Sequence, residues 1–231
     1  MAERSVLVTG GAGGLGGAVV AAFAEAGWRV VVPERQARPD SDPAAADGLV
    51  RLVADLSDPA GAARAVEAAA GEPAAPLRAV VNMVGGYASG GLVHETPVED
   101  FERMLTVNLR PTYLVTQAAL PHLVAAGGGA VVCVSARAAL APFPGAAGYV
   151  TAKAAVLAFA NAVAVEYRSR SVRCNTVLPS VIDTPANRAA QPDADHSRWV
   201  APDEIAPVIR FLASAESAPT SGATVPVYGR A

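Results

Sequence analysis

The chain has 231 residues, 52% hydrophobic and 17% charged, which is enough to bury a sizeable core and too apolar for a disordered segment. A net charge of −3 without a Lys/Arg-rich stripe argues against nucleic acid as a partner, and apolar stretches broken by Gly, Pro or a charge argue against a membrane span. Cys133 and Cys174 fall in strand-like runs and read as small buried hydrophobes rather than a disulfide or metal pair, and the start runs into a strand rather than a leader, so a metal-free, cytoplasmic protein is expected.

Strand-like and helical stretches alternate along the chain. "SVLVTG" (5–10) predicts a strand and 14–26 an Ala- and Val-rich helix. "WRVVVP" (28–33) and "LVRLVADL" (49–56) predict two more strands, separated by 34–48, whose three Asp and two Pro predict a loop in place of a crossover helix. A helix is expected over 59–70 and a fourth strand over 77–85. Helices follow over 97–109 and 111–125, with Pro111 allowing a restart between them. "GAVVCVSA" (129–136), "VRCNTVLP" (172–179) and "TVPVYG" (224–229) complete seven strands, and the intervening helices are expected over 148–168 and 202–214. Near-continuous Val-rich strands between helices describe a parallel sheet covered on both faces. The fold class is therefore α/β, one Rossmann-type doubly wound domain over 1–231. Residues 184–200 are polar and weakly periodic and are expected to form a lid, anchored by Trp199.

The run "TGGAGGLGGA" joins the first strand to the first helix. Glycines also serve plain tight turns. Between a first strand and a first helix, however, they let backbone amides approach a pyrophosphate at the positive end of the helix. Gly10, Gly13, Gly14, Leu15 and Gly16 are the expected cofactor-binding residues here. Glu34 ends the second strand, where an acid accepts bonds from ribose hydroxyls and repels a 2′-phosphate. Arg35 beside it argues the other way. NAD(H) is favoured over NADP(H), and the conflict stays open. Asp55, with Leu56, ends the third strand and is placed to meet the adenine edge, the alternative being a helix cap, for which Ser57 and Asp58 are better placed.

Tyr149 and Lys153 stand one turn apart at the head of the 148–168 helix. A buried ammonium needs a partner or a role, and here it is expected to lower the tyrosine pKa from ~10 by about three units, poising the phenol for proton exchange. A solvated helix face is the plain alternative for such a pair in isolation. Ser135, at the end of the fifth strand, can donate to a substrate carbonyl. Tyr87 lies in the glycine-rich loop "VGGYASGG" (84–91), where it either stacks on a flat substrate or packs the loop. His94 and His196 are expected to be solvated loop residues.

In this order the residues resemble the classical short-chain dehydrogenases/reductases over nearly the whole length. The matching features are the Thr9-to-Gly16 loop, Asp55, "NMVG" (82–85), Asn108, Ser135, Tyr149-x-x-x-Lys153, "LPSVIDT" (178–184) and "SGATVPVYG" near the end. Met83, Val84 and Ser180 depart from the usual pattern, and Ser180 is expected to line the site. The resemblance implies Asn108, Ser135, Tyr149 and Lys153 as the catalytic set. Asn108 would hold a water leading from Lys153 to solvent. Lys153 would also bind the nicotinamide ribose, Asn82 and Gly85 would border the cofactor, and Pro179, Ile182 and Thr184 would flank the carboxamide. It implies a reversible oxidoreductase acting on a small carbonyl or quinonoid substrate, CH–OH/C=O chemistry being favoured, in a homodimer or homotetramer. The stretch 183–199 and the loop 84–91 also look like those of dihydropteridine reductases, an outlying branch that typically lacks the serine present here as Ser135. A pterin reductase-like enzyme and a catalytically silent dinucleotide sensor are therefore the competing readings.

Overall fold

A computed structural model of the chain describes residues 2–36 and 48–230. Most of the expected 34–48 loop, residues 37–47, lies outside the described residues.

Seven strands form one sheet in which every pairing is parallel. They are β1 (Ser5–Val8), β2 (Arg29–Glu34), β3 (Leu49–Val53), β4 (Leu77–Asn82), β5 (Gly129–Val134), β6 (Val172–Pro179) and β7 (Thr224–Val227). Their order is β3-β2-β1-β4-β5-β6-β7. The chain therefore builds outward from β1 in one direction, then crosses back to lay β4 on β1's other side. That reversal opens a crevice beyond the carboxyl ends of β1 and β4, the place where such sheets bind ligands.

Among the described residues there are seven α-helices: α1 (Gly16–Glu25), α2 (Pro59–Ala70), α3 (Val98–Asn108), α4 (Arg110–Ala125), α5 (Ala147–Glu166), α6 (Pro185–Ala190) and α7 (Pro202–Ala213). The strand period of two divides the apolar residues between two cores. Leu7, Val31, Val80, Val131 and Cys174 pack under α2, α4 and α5, whereas Val6, Val30, Val81, Val132 and Val177 pack under α1 and α7. Because both faces are covered, the strands read as continuous apolar runs rather than alternating ones. Helix α5 has the length and apolarity of a membrane span. Its Val156, Ala160 and Val163 instead pack into the sheet core, and it carries the buried Lys153.

Arginines at the starts of three strands hold the ends of neighbouring helices. Arg29 donates to the carbonyls of Ala68 and Ala69 at 3.0 and 3.4 Å, Arg78 to that of Ala126, and Arg173 to those of Leu212 and Ser214 at 3.0 and 2.8 Å. Each meets carbonyls left unpaired at a helix C-terminus, where the dipole favours a cation. At this end of the sheet the arginines make structural contacts, and the predicted catalytic residues lie at the opposite end.

The helix pair expected over 97–109 and 111–125 is present, joined through Leu109 in αR conformation, with Pro111 in the first turn of α4, where it loses no hydrogen bond. The expected lid is more ordered than its composition suggests. Thr184 caps α6 by accepting from the Asn187 amide at 3.2 Å, and a 3-10 turn covers His196–Arg198. A parallel bridge between Ile182 and Val200 ties the two ends of the segment together.

Candidate active site

The glycine turn is dictated by close packing. Gly10 has φ +70°, a conformation glycine adopts without strain, and a Cβ on Gly16 would stand 2.1 Å from the Gly10 carbonyl oxygen. The turn therefore folds tightly onto the start of α1 and presents that helix's unpaired amides to the crevice. A Cβ on Gly14 would come within 2.6 Å of Thr184 Cγ2, so the loop touches the cap residue of the lid helix. Thr9 fixes the turn against β4: its hydroxyl donates to the Val81 carbonyl at 3.2 Å and accepts the Met83 and Val84 amides at 3.0 and 3.4 Å. A backbone cradle without side chains, at a helix N-terminus and a strand-order reversal, fits the diphosphate of a dinucleotide.

At the end of β2 Glu34 is buried and ion-paired with Arg51 on β3. The sequence reading missed this partner. Pairing of Val32 with Arg51 in the β2–β3 register puts the guanidinium beside the end of β2. Arg35 is exposed and lies 3.9 Å from Asp55. Asp55 accepts from the Ser57 hydroxyl and amide at 2.6 and 2.9 Å, and these bonds hold its carboxyl below the usual range. Asp58 makes the helix cap, accepting from the Gly61 amide at 3.1 Å.

Asn82 points away from the crevice: its amide donates to the Thr116 hydroxyl on α4 at 2.9 Å. Gly85 sits where no side chain fits, since a Cβ there would lie 2.5 Å from Asn108 Oδ1 and 3.3 Å from Lys153 Nζ. Asn108 ends α3 with both amide N–H groups bonded. It accepts from the Gly86 amide at 3.2 Å and donates to the Gly86 and Met104 carbonyls at 3.0 and 2.9 Å. These bonds make the side chain a clamp on the loop after β4.

Lys153 is buried on α5 and donates to the Val134 carbonyl at 3.2 Å. Burial pulls its pKa down to about 8. Its ammonium lies 5.9 Å from the centre of the Tyr149 ring. The expected downward shift of the phenol does not occur. Burial, which penalises the phenolate, pushes Tyr149 up to about 12, with the nearby Tyr87 adding in the same direction. Ser135 is buried at the end of β5, and its hydroxyl donates to the Lys153 carbonyl at 2.7 Å.

Tyr87 closes one side of this group. Its ring meets Tyr149 edge-on at 5.0 Å while its hydroxyl donates to Ser89 at 2.7 Å, leaving the ring largely exposed. Ser180, which follows the end of β6, is tethered, donating to the Tyr228 carbonyl at 2.7 Å. Pro179 ends β6, and Ile182 lies in the bridge that roots the lid. His94 and His196 are engaged locally. His94 lies 3.9 Å from Glu95, and His196 packs on Trp199 with ring centres 4.3 Å apart. One residue of this mouth escaped the sequence reading: Arg137, two positions past Ser135, whose guanidinium lies 5.1 Å over the Tyr228 ring.

The short chain dehydrogenase family profile matches residues 4–195. The 2-(R)-hydroxypropyl-CoM dehydrogenase of Xanthobacter autotrophicus is 33% identical, with 98% of each chain covered. The mouse (3R)-3-hydroxyacyl-CoA dehydrogenase is also 33% identical, over 96% of this chain and 94% of its own. A short-chain type dehydrogenase/reductase from Mycobacterium ulcerans superposes over 100% of this chain and 90% of its own, with a TM-score of 0.90 at 27% identity.

Proposed function

The chain belongs to the short-chain dehydrogenases, and from that premise we propose that it transfers hydride reversibly between NAD(P)H and a carbonyl or alcohol carbon, with Tyr149 as acid and base. The observation that carries this reading is the convergence of Tyr149, Lys153 and Ser135 at one end of β5, beside a cradle shaped for a diphosphate. The dinucleotide, when bound, supplies or accepts the hydride.

In the reductive direction this chain's residues supply a proton to the substrate oxygen. Burial keeps the Tyr149 phenol protonated, so it is available as the donor. Lys153, below its pKa of about 8, places a positive charge beside the phenolate formed when that proton leaves. Ser135 must turn its hydroxyl from the Lys153 carbonyl to donate to the substrate oxygen, or accept from the alcohol in the reverse direction. Asn108 acts as a positioning residue through Gly86. NAD(H) is the favoured cofactor. Arg51 takes Glu34 Oε1 and holds the carboxylate at the end of β2, where it repels a 2′-phosphate. The names of the two dehydrogenase relatives, a hydroxypropyl and a hydroxyacyl compound, fit an alcohol–carbonyl pair.

Self-association is proposed on the outer face of α4 and α5, where Tyr113 and Phe159 meet at 5.7 Å and Tyr113 is exposed. A cytoplasmic setting is also proposed. Replacement of Tyr149 by Phe tests the chemistry. Turnover is expected to fall by at least about a hundredfold, while NADH affinity measured by fluorescence titration is retained. Undiminished turnover rules out Tyr149 as the acid. NADH binding without turnover of any carbonyl, alcohol or quinonoid pterin favours the silent sensor.

A further inference from the structure

Substrate charge is legible at the mouth of the site. Ser135 leads directly into the 3-10 turn Arg137–Ala139, and Arg137 is exposed there. Its guanidinium is laid on the Tyr228 ring at 5.1 Å, and Tyr228 is tied back to the site through the bond from Ser180 at 2.7 Å. Arg137, Tyr228 and Ser180 are thus joined into one group, and the Tyr87 ring packs edge-on against Tyr149.

Several charges on the neighbouring segments already have partners. Asp183 and Arg188 share two bonds, at 2.5 and 2.7 Å. Asp195 accepts from the Ser197 hydroxyl and amide at 2.6 and 3.1 Å, and Glu95 accepts the Leu92 amide at 2.8 Å. Arg137 differs. Among the described residues it has no carboxylate within ion-pair distance. Nor does it cap a helix end, as Arg29, Arg78 and Arg173 do. A guanidinium attracted to an aromatic ring still has N–H donors to offer, and those donors match the two oxygens of a carboxylate.

We propose that the substrate is an organic anion, an oxo acid or the corresponding hydroxy acid, whose carboxylate is received by Arg137 while its carbonyl carbon lies at Ser135 and Tyr149. This rests on the hydride-transfer reading above. The spacing selects a carboxylate a few bonds from the carbonyl, because Arg137 follows Ser135 by only two residues along the chain.

The test is a set of oxo acids of increasing chain length, each paired with its methyl ester, assayed with NADH in wild type, Arg137→Gln and Arg137→Lys. The acid-to-ester ratio of kcat/KM is expected to be about tenfold or more in wild type, as a charge-assisted bond to a carboxylate warrants. It should fall toward one in Arg137→Gln, through KM, and be partly kept in Arg137→Lys. A wild-type preference for esters, or an acid preference that survives Arg137→Gln, overturns the anion proposal and leaves hydride transfer standing. Calorimetry of the same acids on the NADH-saturated proteins decides the matter separately from turnover. Acid binding weakened about tenfold by Arg137→Gln supports the site. Binding that is absent in wild type or equal in the variant overturns it. Failure to turn over any member of the set overturns the oxo-acid assignment, and hydride transfer is then judged on the broader panel of carbonyls and alcohols.

Discussion

The Ser135 hydroxyl donates to the backbone carbonyl of Lys153 at 2.7 Å, and the Lys153 ammonium donates to the carbonyl of Val134 at 3.2 Å. These reciprocal bonds stitch the end of β5 to α5 one turn beyond Tyr149. Ser135→Ala removes the first of them, and a buried hydrogen bond is worth about 1 kcal/mol net. The variant should unfold at lower urea by that amount and lose about a hundredfold or more in kcat/KM. Ser135→Thr keeps the hydroxyl and should recover most of the stability. An alanine variant with wild-type turnover removes Ser135 from the chemistry.

The two buried titrating groups give opposite pH signatures. Lys153 has a folded pKa of about 8 against an ordinary 10.5, so between those values the unfolded chain holds a proton that the folded chain has released. Its burial therefore destabilises the fold at pH below about 8, and that cost is relieved as pH rises toward 10.5. Tyr149 runs the other way. Its pKa of about 12 exceeds the ordinary 10.0, so its contribution to stability is lost as pH rises from 10 to 12. Urea midpoints should show a rise above pH 8 that Lys153→Met abolishes, and a fall above pH 10 that Tyr149→Phe reduces. Carbonyl reduction should lose kcat/KM above about pH 8, as Lys153 gives up the charge that faces the phenolate.

The seven strands, their parallel arrangement and the glycine turn were legible because each has a local signature. Val-rich runs mark a doubly covered sheet, and the glycines mark a turn in which Gly16 has the Gly10 carbonyl against its Cα. What escaped depended on register or depth. Arg51 meets Glu34 only through the β2–β3 pairing, and nothing in "LVRLV" announces that partner. The direction of the Tyr149 shift follows from how much water is lost around the ring, which a four-residue spacing does not encode. Asn82 and Asn108 stand where expected, yet their amides turn to Thr116 and Gly86, because side-chain orientation is settled by the helices packed beside them. Helix α6 did carry a start signal, Thr184 followed by Pro185, but six residues are too few for a period to emerge.

The contact between the glycine turn and the lid can be separated from the turn itself. In Gly14→Ala the new methyl meets Thr184 Cγ2 at 2.6 Å, a side-chain atom, whereas in Gly16→Ala it meets the Gly10 carbonyl oxygen at 2.1 Å. Overpacking of this kind costs about 1–3 kcal/mol. Both variants should weaken NADH binding by about tenfold or more. Adding Thr184→Ser, which deletes Cγ2 and keeps the capping hydroxyl, should recover affinity in Gly14→Ala and fail to do so in Gly16→Ala. Fluorescence titration with NADH checks both, and equal recovery would show that the lid is not what Gly14 spares.

Cofactor choice turns on Glu34, Arg51 and Arg35. A 2′-phosphate at the end of β2 would bring further negative charge against a buried carboxylate, and like charges brought together there are costly. Arg35 is 76% exposed and only 3.9 Å from Asp55, so it gains little from that pair and is free to swing toward a phosphate. The wild type should bind NADH more tightly than NADPH by about tenfold. Glu34→Gln should narrow that gap from the NADPH side, and Arg35→Ala should widen it. Arg51→Ala should act on stability as well, costing about 1–3 kcal/mol because it strands a buried carboxylate. Paired titrations with the two reduced dinucleotides measure the ratio directly. Tighter NADPH binding in the wild type would mean that Arg35, not Glu34, reads the ribose, with the Arg51 ion pair having taken the glutamate out of play.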